Sequence, residues 1–149
     1  GKVEEAASLL GRWHFVSGVV KHGRGQGTGF GFPTANVSLD LRDCIPHDGV
    51  YACYVVHGAT AWPAAVNVGK APSFQSQTEP LLEANLLGFS GNLYDSQVQT
   101  VFVKRLRESK KFDSLEELKC AVRGNIDWVA QNLGTTSYNL GSGEVEDDN

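Results

Sequence analysis

The sequence has no apolar run long enough to cross a bilayer. Its longest, Val50 to Val56, falls far short of the roughly 20 residues a spanning helix needs. It also lacks an excess of positive charge. Thirteen Lys and Arg stand against 17 Asp and Glu, for a net charge of −4, and the pI is about 5.5. That balance opposes non-specific nucleic-acid binding, which wants the other sign. Cysteine is sparse: Cys44, Cys53 and Cys120 are odd in number and contain no CxxC pair. A disulfide framework or a zinc site is therefore disfavoured, and a reducing compartment is expected. The four histidines, His14, His22, His47 and His57, show no metal-ligand spacing. The N-terminus carries Glu4 and Glu5 and no apolar core of a signal peptide. Without such a signal, the glycosylation sequon Asn36-Val37-Ser38 reads as coincidence.

What is present suits one soluble globular domain with a core. Residues 2–10 read as a short lead-in or linker helix, with Val3, Ala6, Ala7 and Leu10 on one side and Gly11 ending it. Strands are expected at 13–21, 34–39, 49–57, 61–69, 81–89 and 97–106. The pair 49–57 and 61–69 makes the clearest hairpin, and Pro63 suggests an edge or bulge near the start of its second strand. In the fifth strand, Leu82, Ala84 and Leu86 share one face, and Leu81, Glu83, Asn85 and Leu87 the other. In the sixth, Val98, Thr100, Phe102 and Lys104 alternate with Val101 and Val103. A final helix starts at Asp113 or Ser114, each completing a capping box with Glu116 or Glu117. Leu115, Leu118, Val122, Ile126, Val129 and Leu133 give it one apolar stripe, and Gly134 stops it. Residues 134–149, rich in Gly and Ser and then acidic, are expected to be a disordered tail. No helices separate the strands, so a parallel α/β fold is excluded. The expectation is a small, closed or nearly closed barrel with a helix against it.

The densest chemical signal is His22 to Leu39. Glycines stand at 23, 25, 27, 29 and 31 before Pro33, Thr34, Ala35 and Asn36. A backbone so rich in glycine can approach a charged ligand closely. If the strand runs from Thr34, period two puts Thr34 and Asn36 on one face. A hydroxyl and a carboxamide oxygen are hard neutral ligands that suit Mg²⁺ when phosphates bring the charge. A glycine-rich hairpin loop followed by a polar edge strand explains the same residues equally well. Neither GxxxxGK[ST] nor GxGxxG spacing occurs.

Several segments, in order, resemble riboflavin kinases: GFGFPTAN (29–36), GVYA (49–52), NVGKAPSF (67–74), LLEANLLGF (81–89), NLY (92–94) and FVKRLRESKKFDSLEELK (102–119). The resemblance covers residues 13–133, with 1–12 as lead-in and 134–149 as tail. It implies a mainly β fold, a six-stranded antiparallel Greek-key barrel with a C-terminal α-helix packed against it. It implies ATP-dependent phosphorylation of the riboflavin 5′-hydroxyl, giving FMN and ADP, with Mg²⁺ or another divalent metal. Thr34 and Asn36 would then hold metal and phosphates, and the loop carrying Gly23, Gly25, Gly27 and Gly29 would wrap the nucleotide. Glu83 matches the catalytic base, though by itself it also reads as a solvated strand residue. Arg107 matches a catalytic and flavin-binding position that holds phosphate or the flavin-side loop, although the run Lys104 to Lys111 alone reads as a solvated surface. Phe112, Leu115 and Leu118 fall in the segment bordering the flavin. Asn67 either supports the metal or nucleotide or ends a strand. Tyr94 either lines the adenine side or is a structural aromatic.

Departures from the pattern are Ser73 for Thr, Asn85 where His is frequent and Gly88 where Asp is frequent. The last two flank Glu83, and they keep open a catalytically weak flavin- or nucleotide-binding module. The lead-in resembles the linker after the FMN adenylyltransferase domain of bifunctional FAD synthetases. That domain is not in this sequence, so FMN formation is expected and FAD formation is not. No nucleic-acid or membrane partner is expected. The expected location is cytoplasmic, or plastid if a transit segment was removed. A nucleic-acid-binding barrel has only the Lys104 to Lys111 run in its favour.

Overall fold

The computed structural model describes residues 1–22, 34–40, 42–70 and 80–141. Its elements are α1 (Val3–Leu10), β1 (Phe15–Lys21), β2 (Ala35–Leu39), β3 (Gly49–His57), β4 (Thr60–Lys70), β5 (Pro80–Leu86), β6 (Gln97–Glu108), α2 (Leu115–Leu133) and β7 (Tyr138–Asn139). All strand pairs are antiparallel. Around the ring the order is β1, β2, β5, β4, β3, β6, and β6 pairs again with β1. The sheet is thus a closed six-stranded barrel, as the sequence suggested, and β7 adds a short strip beside β4.

Strand parity builds the core. Val16, Val20, Val37, Leu82, Ala84, Val66 and Val68 point inward and are buried. β3 is apolar on both faces because both are covered. Tyr51, Cys53 and Val55 line the interior, while Ala52 lies outside beneath α2. Burial pushes the Cys53 thiol well above its ordinary range, so it stays a neutral core group. The β3–β4 hairpin closes at Gly58 (φ 59°), with His57 opposite Thr60. Pro63 lies between the stretches of β4 that pair with β7 (Thr60 and Ala61) and with β5 (Ala64 onward). The edge that Pro63 suggested is present at that gap.

β6 departs from simple alternation. Its register against β3 shifts between Ala52 and Cys53 and again between Val50 and Tyr51. Each shift inserts one residue and inverts the phase. Val98, Thr100 and Phe102 are buried as expected, but Lys104 pairs with outward Ala52 and leaves that set. Leu106 joins the cluster under α2, and Arg107 falls opposite Val50.

The helices and the chain end add detail to the expected architecture. α1 is docked on the barrel: Val3 is buried in the cluster of Tyr51 and Phe102, and Lys104 Nζ lies 3.1 Å from a Glu4 carboxylate oxygen. α2 begins at Ser114, whose hydroxyl accepts the Glu117 N–H at 3.2 Å. Its stripe docks only in part. Val129 is fully buried, with Ile126, Trp128 and Leu133 packed beside it on Ala52 and Ala65, whereas Leu115 is 48 % exposed. The small alanines let the helix approach the sheet closely. Beyond Gly134 the chain continues in order up to residue 141. Tyr138 donates to the Leu133 carbonyl at 2.6 Å and packs edge-on against Tyr54, which stacks on Trp13. The rest of the expected tail lies outside the described residues.

Candidate active site

The register of four strands sets one row of side chains across the outer face. Lys21 of β1 pairs with Asn36 of β2, Asn36 with Glu83 of β5, and Glu83 with Asn67 of β4. Paired residues share a face. Because Val20, Val37, Leu82, Val68 and Ala84 point inward, these four point outward. The row continues through Val50 of β3 to Arg107 of β6. Asn36, Glu83 and Asn67 are therefore neighbours. Arg107 lies three strands beyond Glu83, about 14 Å along the sheet at the usual strand spacing.

Glu83 is half-buried and has no hydrogen-bond or ion-pair partner among the described residues. Burial in this setting disfavours its charged form and raises its carboxyl above the usual value of 4.5. Two residues on and on the same face, Asn85 carries a buried Oδ1 that no described group satisfies. Gly88, the other departure near Glu83, has φ 73°, and a Cβ there would come within 2.5 Å of the Thr135 carbonyl oxygen. Glycine at 88 is what lets the turn after α2 lie against the end of β5.

Thr34 stands one residue before β2 and so lies just outside the strand expected to begin there. With Tyr94 and Asn92 it lines a cleft of about 310 Å³ at one end of the barrel. Tyr94 stacks on His22 with ring centroids 3.6 Å apart. A backbone clamp fixes that stack: Asp95 N–H donates to the Val20 carbonyl at 2.8 Å, and Val20 N–H to the Ser96 carbonyl at 3.0 Å. His22 carries no motif, and only the folded chain reveals its place.

Arg107 gathers a second group. Its guanidinium lies 5.4 Å from the Phe112 ring centroid, and Lys110 Nζ lies 5.5 Å from the same centroid. Arg107 Nη1 donates to the Glu108 carbonyl at 3.1 Å, but its buried Nε has no partner among the described residues. Burial also lowers its pKa. Phe112 leads into the uncovered half of α2, where Leu115 is exposed and Leu118 half-buried. Gly23, Gly25, Gly27 and Gly29 lie outside the described residues.

No group of three or more His, Cys, Asp or Glu that could hold a metal occurs among the described residues. Neutral oxygens at Thr34 and Asn36 instead suit a hard cation that arrives with phosphate.

The riboflavin kinase family model, Flavokinase, matches residues 10–133. The chain is 40 % identical over 121 residues to a bifunctional riboflavin kinase/FMN adenylyltransferase of Pseudomonas fluorescens, covering 81 % of this chain and 39 % of that protein. It is 36 % identical over 120 residues to the protein of the same name from Bacillus subtilis, covering 79 % and 38 %. The chain thus spans about two fifths of the length of these relatives. Among solved structures, riboflavin kinase from Trypanosoma brucei superposes with TM-score 0.57 at 23 % identity, covering 81 % of this chain and 82 % of that one, which shows the shared fold. A macrolide-efflux protein from Streptococcus pneumoniae superposes with TM-score 0.80 at 34 % identity, covering 89 % of this chain and 43 % of that one.

Proposed function

The chain belongs to the riboflavin kinase family, and from that premise we propose that it transfers the γ-phosphoryl group of ATP to the 5′-hydroxyl of riboflavin, giving FMN and ADP. The observation that carries this reading is the outward row Asn36–Glu83–Asn67, with a half-buried carboxylate at its centre that has no partner among the described residues.

Phosphoryl transfer asks mainly for positioning and charge neutralisation. Asn36 offers its carboxamide oxygen beside Glu83, and Thr34 offers its hydroxyl at the cleft. These two would hold a divalent cation such as Mg²⁺ together with the nucleotide phosphates. When bound, that cation supplies electrostatic stabilisation of the transferring phosphoryl group. Tyr94, held flat against His22, gives the cleft an aromatic face of the kind that takes an adenine. Asn67 steadies the nucleotide from the other side of Glu83.

Glu83 accepts the proton from the riboflavin 5′-hydroxyl as the new O–P bond forms and the bond from phosphorus to the bridging β–γ oxygen breaks. The electron pair of that bond leaves with ADP. Its raised pKa makes it a stronger proton acceptor than an exposed carboxylate. The flavin ring then falls toward Phe112, Leu115 and Leu118, where α2 leaves apolar side chains uncovered. Arg107, three strands along the row and against Phe112, would hold the flavin-side segment or a phosphate. A covalently linked FMN adenylyltransferase domain, as in the names of the relatives, is part of this reading.

The test is incubation with riboflavin, ATP and Mg²⁺, followed by chromatographic separation of the flavins. FMN is the expected product. Riboflavin binding without FMN formation would instead favour a binding module, the reading that Asn85 and Gly88 left open. Glu83→Gln should lower kcat by about a hundredfold or more, as loss of a general base does, with nucleotide affinity nearly intact. Full activity in that variant would remove Glu83 from the mechanism.

A further inference from the structure

Lys21 belongs to the same row as Glu83, yet no motif singles it out. It ends β1 with its side chain exposed. Its neighbour Val20 is buried in the core, so parity turns Lys21 outward, beside Asn36. Glu83 lies one strand further on, so Lys21 is two strand spacings, about 10 Å, from it. A lysine stem of four methylenes spans much of that gap, so the ammonium can reach across Asn36. No carboxylate among the described residues pairs with Lys21. Every other outward side chain from Asn36 to Val50 is neutral or acidic, and the cation at the far end, Arg107, is taken up with Phe112.

We propose that Lys21 is a phosphate-binding residue, whose ammonium neutralises the nucleotide phosphates from the β1 side of the row. This rests on the kinase reading for where the nucleotide lies. Lysine acts on phosphate as a compact point charge, so it needs reach more than a fixed geometry. Arginine at the same place should serve, and a neutral side chain should not.

The test measures ADP binding by calorimetry and steady-state kinetics on Lys21→Gln, Lys21→Arg and, as a control for net charge, Lys104→Gln. Lys21→Gln is expected to weaken ADP and raise the KM for ATP by about tenfold, a size ordinary for one exposed charge pair, and to leave the KM for riboflavin unchanged. The deficit should shrink as salt is added. Lys21→Arg should recover ADP affinity to within about twofold, and Lys104→Gln should bind ADP as the parent does. ADP binding unchanged in Lys21→Gln, or weakened equally in Lys104→Gln, would overturn the proposal. A parent chain that binds ADP through Lys21 but makes no FMN would sink the kinase reading and support this one.

Discussion

Glu83 is half-buried and no described cation answers its charge, and that has a definite sign. The native state holds its proton to a higher pH than the unfolded chain does, because its carboxyl is raised above 4.5. Between the unfolded and folded values the native state binds more protons, so stability falls as pH rises across that window. The contribution is fully present below the unfolded value and gone above the folded one. Glu83→Gln should flatten this segment of the stability–pH curve, measured by urea unfolding at a series of pH values. The parent kcat/KM for riboflavin should likewise fall on the acid side, with a limb displaced upward from the ordinary carboxylate value, since the base of the free enzyme must be ionised to act. A limb at or below that value would mean that a different group sets it. At this scale the sequence was legible where parity could be counted: Glu83 and Asn36 emerge on the outer face as period two required. Lys21 and His22 were not legible. Their roles depend on which strand β1 meets and on how the segment from Asn92 to Ser96 crosses it, and neither is local.

α2 is one helix with two energetic halves. From Ile126 to Leu133 its apolar side chains meet Ala52, Ala65, Leu87 and Leu106, and from Leu115 to Val122 they remain partly open. Val129→Ala should cost about 2 kcal/mol in urea unfolding, from lost burial plus a cavity. Leu115→Ala should change stability by less than about 0.5 kcal/mol and act instead on the KM for riboflavin. The reverse ordering of those two stabilities would refute the division. The stripe itself was plain from its spacing of three and four. Its half-occupancy was not, because the sheet beneath has limited width and a periodicity says nothing of where a sheet ends. β6 teaches the same lesson. Its alternation is correct through Phe102 and fails at Lys104, where a bulge inverts the phase, and bulges leave no composition cue in KRLR.

At the scale of the molecule, α1 and the chain end beyond α2 both belong to the folded unit. Val3 lies in the same buried cluster as barrel-interior Tyr51 and Phe102, and Trp13, Tyr54 and Tyr138 join the two ends of the chain through one aromatic series. Val3→Asp should destabilise the protein by about 3 kcal/mol, the consequence of an unpaired charge in a core. Leu9→Asp, at a residue 90 % exposed, should fall within about 0.5 kcal/mol of the parent. Equal effects would show that α1 is not part of the cooperative unit. A short amphipathic helix at a terminus reads locally as a linker, and only the barrel shows what it covers.

The barrel also imposes an order of events. β1 lies at the start of the ring and closes it against β6, the last long strand to be made. The β3–β4 hairpin can form within about ten microseconds once both strands exist. Closure brings together segments far apart in the chain, and topologies of that kind fold on the order of milliseconds to seconds. On a ribosome adding about 5–20 residues per second, an edge of β1 waits without its partner until Gln97–Glu108 has emerged. For those seconds the nascent chain offers an unpaired strand to its neighbours, and this is the interval in which a chaperone would matter most to it.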